Sequence, residues 1–359
     1  MLAAPRVYLL DAATHILVEF VSKMKAIVVN EFHSDFNNLK VSEISQPQPL
    51  SDNILIRVVG SGVNFVDTLY AKGKHQNNTH LVRPPFTLGL EFSGIVLSSP
   101  ATCQFQPGDA VFGGITGSYS EIISLPADST SIRKVPSGWK VEDAAGLAAT
   151  LPVSYGALAA TNMKAGETVL IHSAAGGLGI MAVQIAVALG CRVIGTAGSA
   201  AKCDYVRKFG ANECIDYTED KWWEKILKLT DNKGVHVVFD PVGLVDRSLK
   251  CIAHRGRVVV VGFAGTEGRI EKIAMNRLLL KQVSVVGYRY GETLRRYPEE
   301  CEQFWSDLAP LLASGAIKPT VCSYYRGLES VPQALHDISQ RKIFGKAVVL
   351  IDADAKPKL

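Results

Sequence analysis

No two of the seven cysteines (Cys103, Cys191, Cys203, Cys214, Cys251, Cys301 and Cys322) stand closer than eleven residues, and no CxxC pair occurs. The odd count and wide spacing speak against a disulfide framework and a structural zinc lobe, and fit ordinary buried thiols in a reducing compartment. No apolar run approaches the roughly eighteen residues that a membrane span requires. No block of basic residues occurs either: 38 Lys and Arg against 34 Asp and Glu leave a formal net charge of +4, spread along the chain. Electrostatics therefore give no support to a nucleic-acid or membrane-surface partner. What is present is 359 residues, 47% hydrophobic and 20% charged, with 31 Gly and 16 Pro. That composition belongs to a soluble globular chain, and the length exceeds one ordinary core, so two domains are expected.

Residues 1–23 precede the first compact strand pattern, Lys25-Ala26-Ile27-Val28-Val29. This extension is apolar and roughly helix-periodic but carries Asp11 and Glu19, with only Arg6 and Lys23 as bases. An extra helix or an upstream start suits it better than a mitochondrial presequence, which is Arg-rich and poor in acids. A cytoplasmic location is expected, with import through residues 1–23 as the alternative. The terminal Pro357-Lys358-Leu359 departs from a peroxisomal Ser-Lys-Leu address at its first position.

From 24 to about 149, short β-branched runs such as Asn53–Val59 and Gly94–Leu97 alternate with turns such as Gln106-Pro107-Gly108-Asp109. This predicts a mostly-β domain over 24–149. The period then changes. Near-continuous Val/Ile runs at 168–171, 192–194, 235–239, 258–261 and 283–286 alternate with helical stretches near 201–209, 221–229 and 244–253. Such runs are strands of a parallel sheet buried on both faces, which assigns 150–288 to a doubly wound α/β domain. Residues 289–359 read as helix, loop and a last strand, Ala347–Ile351, returning to the first domain.

Between the strand at 168–171 and the following helix lies Ser173-Ala174-Ala175-Gly176-Gly177-Leu178-Gly179. Ala174 takes the first position of GxGxxG, and Gly176 and Gly179 the second and third. Gly176 lets main-chain N–H groups approach a pyrophosphate at the helix N-terminus; Gly179 lets the helix pack closely on the sheet. An NAD site wants an acid about 20 residues on. The next strand instead ends Val193-Ile194-Gly195-Thr196-Ala197-Gly198-Ser199, with Lys202 one turn later. A glycine with Ser and Lys nearby suits a 2′-phosphate, so NADPH is the expected cofactor. Singly, Ser199 also reads as a helix N-cap and Lys202 as a solvated lysine.

Several separate pieces, in order, resemble the zinc-lacking quinone oxidoreductase (zeta-crystallin-like) branch of the medium-chain dehydrogenase/reductase superfamily. They are Gly62-Val63-Asn64-Phe65-Val66-Asp67, Leu88-Gly89-Leu90-Glu91-Phe92-Ser93-Gly94, Pro107–Val111, Ala165–Leu170, the glycine turn, and Gly256–Phe263. The resemblance implies a GroES-like domain beside a Rossmann domain, an active site in the cleft between them, and a homodimer joined through the Rossmann sheet edges. It places Asn64 and Asp67 beside the nicotinamide, Thr150 and Tyr155 on the segment leading into the cleft, and Ser199, Lys202 and Tyr217 on the 2′-phosphate. Gly262 and Phe263 follow a strand end that faces the nicotinamide ribose. Asn64 and Asp67 also read as loop-capping residues, and Tyr217 as surface packing. The tyrosine often found five residues after the Asn is here Leu69, with Tyr70 beside it.

Related alcohol dehydrogenases ligate zinc with a Cys and a Gly-His-Glu histidine. The matching positions here are Asn64 and Leu90, neither a ligand, and Glu91 alone does not make a site. An acceptor that takes hydride without a Lewis acid is therefore expected: a quinone or a conjugated carbonyl. Tyr70, Tyr155 or water could supply the proton. An enoyl or 2-enone reductase of lipid or secondary metabolism shares every one of these residues, and a non-catalytic NADPH-binding protein is the alternative of another class. His172 reads as a structural histidine ending a buried strand, His254 as solvated, and no cysteine carries a role.

Overall fold

The β-branched runs of the first third pair into two antiparallel sheets in the computed structural model, which describes residues 22–265 and 271–352. The N-terminal extension, except its last two residues, and the Pro-Lys-Leu terminus lie outside the described residues. In chain order the elements are β1 (Lys23–Val29), β2 (Val41–Ser45), β3 (Asn53–Val63), α1 (Phe65–Ala71), β4 (Phe86–Thr87) and β5 (Glu91–Ser98). β6 (Ala110–Gly114), β7 (Ile122–Pro126), β8 (Ile132–Lys134) and α2 (Val141–Ala144) follow. The first sheet has the order β2-β1-β4. Ile54, Ile56, Val58, Phe92, Val96 and Val111 bury a core between the longer strands, as alternating apolar residues on antiparallel ladders do.

α3 (Leu151–Ala159) then leads into alternating units: β9 (Thr168–Ile171), α4 (Gly177–Ala188), β10 (Arg192–Ala197), α5 (Ala200–Lys208), β11 (Glu213–Asp216) and α6 (Trp222–Leu229). β12 (Val235–Asp240), α7 (Val245–Ser248), β13 (Ile252–Val260), α8 (Met275–Lys281) and β14 (Ser284–Gly287) complete a six-stranded parallel sheet ordered β11-β10-β9-β12-β13-β14. This is the Rossmann order, whose direction reverses beside the first strand and leaves a crevice at the carboxyl ends there. Val169, Leu170 and Ile171 of β9 are fully buried, which accounts for their unbroken apolar run. Helix α7 stops at Ser248, well short of the 253 that periodicity suggests. Val235 pairs with Ile252, and β13 passes through a register shift near Arg255, whose φ is 57°. That irregularity masks the strand's start in the sequence.

The chain returns through α9 (Tyr290–Arg296), α10 (Pro298–Ala313), β15 (Val321–Arg326), α11 (Val331–Ser339) and β16 (Lys346–Leu350). β16 inserts between β15 and β3, giving a seven-stranded sheet ordered β15-β16-β3-β5-β6-β8, with β7 also paired to β3. Its antiparallel register sets Ala347 opposite Val63, so Lys346 falls beside Asn64. No described helix is long and apolar enough to cross a membrane.

Candidate active site

The glycine turn leaves β9 through Ser173, at φ 50°, and enters α4 with Gly176 as its N-cap. A Cβ on Gly179 would stand 2.2 Å from the Ser173 carbonyl oxygen and 2.7 Å from Ala174 Cα, so turn and helix approach as closely as main chain allows. The Ala174 N–H donates to Thr196 O at 2.9 Å, tying the turn to β10. Gly176, Gly177 and Leu178 are half-buried, where the rest of the turn and the helix behind them are mostly enclosed. The first N–H groups of a helix have no intrahelical partner, and at this N-terminus Gly176 and Gly177 leave the main chain without side chains. That cradle fits a dinucleotide pyrophosphate.

At the other end of the crevice, the Ser199 hydroxyl caps α5 by accepting from Lys202 N–H at 3.3 Å. Its own proton remains available to donate. Lys202 Nζ donates to the Arg341 carbonyl at 2.5 Å and lies 5.3 Å from the Phe344 ring. Burial and the neighbouring Arg341 lower the Lys202 pKa. Arg341 was not legible in the sequence; it joins this end only because the segment before β16 folds across α5. The Tyr217 ring packs on Gly198, where a Cβ would meet its hydroxyl at 2.9 Å. Thr196 is fully buried, its hydroxyl 3.0 Å from His172 Nδ1, and His172 Nε2 lies 2.8 Å from Ser248 Oγ. Thr196 and His172 thus support the turn from beneath. Burial lowers the His172 pKa, partly offset by Asp240.

The catalytic-domain wall is a buried polar cluster. Asn64 Nδ2 donates to Glu91 Oε1 at 2.9 Å and to Gly62 O at 3.2 Å. Lys346 Nζ donates to Asn64 Oδ1 at 2.8 Å, Val63 O at 2.9 Å and Glu91 Oε1 at 2.7 Å. Glu91 Oε2 accepts from Ala149 N–H at 2.8 Å. Asp67 reaches back from α1 to accept from Asn64 N–H at 2.8 Å, and Tyr119 OH donates to the same oxygen at 3.0 Å. Asp67 is fully buried, and burial raises its pKa to about 7, against the pull of those donors and of Lys346. Its Oδ1 has no hydrogen-bond partner. Asp67 is thus a loop-capping residue, as one reading of the sequence holds, set directly behind Asn64.

A Cβ placed on Gly177 would lie 3.0 Å from Lys346 Cδ and 3.3 Å from Thr150 Cγ2, so the cluster, Thr150 and the glycine turn adjoin. Thr150 Oγ1 donates to Gly146 O at 2.6 Å, and Ser154 Oγ to Leu178 O at 2.9 Å. The Gly345 N–H closes the contact by donating to Ala175 O at 2.7 Å. Gly262 packs over the Pro241 carbonyl, and Phe263 is exposed beyond the end of β13. The two tyrosines considered as proton donors are directed elsewhere. Tyr70 accepts from Asn77 Nδ2 at 2.7 Å and stacks on His75. Tyr155 donates to Asp307 at 2.8 Å, and burial together with that carboxylate pushes its pKa up to about 12. Among the described residues, no group of three or more His, Cys, Asp or Glu could hold a metal ion.

Comparison with known proteins matches this architecture. Residues 51–137 fit the alcohol dehydrogenase GroES-like domain family, and 177–309 the family described as zinc-binding dehydrogenase. Quinone oxidoreductase-like protein 2 of Rattus norvegicus is 33% identical over 322 residues, 87% of this chain and 88% of its own. The crystal structure of Escherichia coli quinone oxidoreductase complexed with NADPH superimposes with a TM-score of 0.77 at 28% identity, covering 91% of this chain and 99% of that one. The CurK enoyl reductase structure shares the fold, with a TM-score of 0.79 at 24% identity over 91% of this chain and 99% of its own. With a GroES-like domain, a Rossmann sheet and relatives of this identity over most of its length, this chain belongs to the quinone oxidoreductase-like proteins of the medium-chain dehydrogenase/reductase superfamily, an NAD(P)-dependent oxidoreductase.

Proposed function

We propose that the protein uses NADPH to reduce a quinone or a similar conjugated carbonyl compound, without zinc. The observation that carries this reading is the cluster facing the glycine turn. Where a metal-dependent relative would need ligands, this chain has an amide held between an ammonium and a carboxylate. When bound, the reduced nicotinamide supplies a hydride, two electrons with one proton. The N-terminus of α4 would hold the pyrophosphate, and Ser199, Lys202 and Tyr217 the 2′-phosphate. Asn64 would contact the nicotinamide end, and Thr150 and the main chain at Gly262 and Phe263 would border it. Holding cofactor and acceptor together is the protein's chief contribution. An acceptor that delocalises the incoming charge onto oxygen needs one further proton. The Tyr155 proton is engaged by Asp307, whereas Tyr70 only accepts from Asn77 and keeps its own, so Tyr70 or solvent water is the donor.

A homodimer belongs to the same proposal. Met275, Leu279 and Leu280 of α8 are exposed, and β14 is an outer strand of its sheet, so a second copy could cover both. The test is oxidation of NADPH and NADH, side by side, with an ortho-quinone and with a simple 2-enone. NADPH preference with quinone turnover is expected. Turnover of the enone alone would assign an enoyl or 2-enone reductase, NADH preference would overturn the phosphate site, and cofactor binding without turnover would indicate a non-catalytic role.

A further inference from the structure

Lys346 and Glu91 form an ion pair inside the protein, with side-chain exposures of 2% and 0%. Its surroundings are cut to fit. A Cβ on Gly62 would stand 2.5 Å from Glu91 Oε1, and one on Gly146 3.1 Å from Lys346 Cγ. With Gly177, these residues leave the volume that the two long side chains fill. A buried ion pair is no source of stability that a well-packed apolar pair could not match, because desolvation offsets its attraction. Fold stability alone thus gives no reason for building one here, beside the cofactor turn.

The hydrogen-bonding capacities settle what the pair does to Asn64. An ammonium can only donate, so the Asn64 atom facing Lys346 is the carbonyl oxygen. A carboxylate and a peptide carbonyl can only accept, so the atom facing Glu91 and Gly62 O is the amide nitrogen. Both Nδ2 protons are engaged, as are all three on Lys346 Nζ. The Asp67 N–H of the α1 capping box lies near Asn64 Oδ1 but donates to the Asn64 main-chain oxygen at 3.0 Å, so one lone pair of Oδ1 is left over.

Building on the nicotinamide-cofactor reading above, we propose that Lys346 is a positioning residue that, with Glu91, fixes the Asn64 amide so that it offers the cofactor only a hydrogen-bond acceptor. Its ligand is a proton donor on the nicotinamide half of the dinucleotide, a ribose hydroxyl or the carboxamide N–H2. Asn64 in this orientation cannot donate to the oxygen of a reduced acceptor. Lys346 has no proton left for a phosphate and does not act as a phosphate ligand.

The test is direct titration of the purified protein with NADPH and with 2′,5′-ADP, which carries the adenosine end alone, on wild type, Lys346→Met and the double variant Lys346→Met/Glu91→Gln. Lys346→Met should weaken NADPH roughly 10- to 100-fold, the worth of a charge-assisted hydrogen bond, and leave 2′,5′-ADP within about twofold. The double variant carries no unpaired buried charge. It should regain thermal stability while NADPH binding stays weak, and it decides the matter alone if Lys346→Met does not fold. Wild-type NADPH affinity in either folded variant would overturn the inference, as would equal weakening of NADPH and 2′,5′-ADP. A wild-type protein that binds neither NADPH nor NADH would overturn the cofactor reading along with it, whereas a binding wild type with unaffected variants overturns this inference alone.

Discussion

At one end of the crevice Glu91 and Lys346 lie in the interior with Asn64 half-buried beside them, each held by at least two partners from different parts of the chain. At the other end Ser199, Lys202 and Tyr217 are half-buried and Arg341 is exposed, and Lys202 grips a main-chain carbonyl beside the Phe344 ring. The first arrangement is rigid before any ligand arrives, as a site that must aim a reacting atom requires. The second keeps long cationic side chains on a wet surface, where a multiply charged phosphate can gather them. Under the proposed reading, precision is invested where hydride would move, and adaptability where the cofactor would only be recognised.

Removing one partner at the rigid end should have the largest effect on the fold. Glu91→Ala strands the Lys346 ammonium in the interior, and a loss of about 3–5 kcal/mol is expected in urea unfolding. A loss under 1 kcal/mol would mean that this end is as adaptable as the other. Asp67 gives the next effect, and it depends on pH. Its folded value of about 7 lies above its unfolded value, so the folded chain holds a proton that the unfolded chain releases. This contribution is full below about pH 4 and is lost as pH rises through about 7, on the order of 4 kcal/mol in all. Unfolding of wild type and Asp67→Asn between pH 5 and pH 8 should therefore give a shallower pH slope in the variant, and equal slopes would discard the buried neutral carboxyl.

At the adaptable end the expected effect is smaller and purely one of recognition. Lys202→Ala should cut the preference for NADPH over NADH about tenfold in kcat/KM, without moving the unfolding midpoint. An unchanged preference would pass the phosphate to Arg341 or Tyr217. The smallest effect concerns Tyr155, whose hydroxyl lies on Asp307 and outside the comparison. Tyr155→Phe should cost no more than about 1 kcal/mol of stability and leave kcat unaltered. A tenfold fall in kcat would bring that hydroxyl back into the chemistry.

The same division governs what could be read from the sequence. The glycine turn, its strand and its helix are contiguous, so residues 168–188 declare both the parallel sheet and the dinucleotide cradle. Ser199 and Lys202 follow one strand later, and the helix cap that Ser199 makes was legible for the same reason. Lys346 is separated from Asn64 by 282 residues and stands at the head of an ordinary Ala-Val-Val-Leu strand. Only the β16–β3 register makes it part of the site. The motif around Glu91 could be read as lacking a histidine ligand, but the cation that meets it instead left no local signal. Thr196, a cofactor-side candidate by its place at the end of its strand, turns its hydroxyl inward to His172, an orientation that the chain order alone does not reveal.

The insertion of β16 beside β3 also bears on biosynthesis. The polar wall begun at Asn64 cannot be completed until the ribosome has reached Lys346, 282 residues further on. Until then the Gly60–Val63 end of β3, beyond its pairing with β7, has no partner on that side, and the Glu91 carboxylate lacks the Lys346 counter-charge. A nascent chain in this condition exposes an unpaired strand, a recognised hazard for self-association during synthesis. A product that ends before Lys346 could still form the six-stranded parallel sheet and its glycine turn, and so hold nucleotide without the machinery to use it.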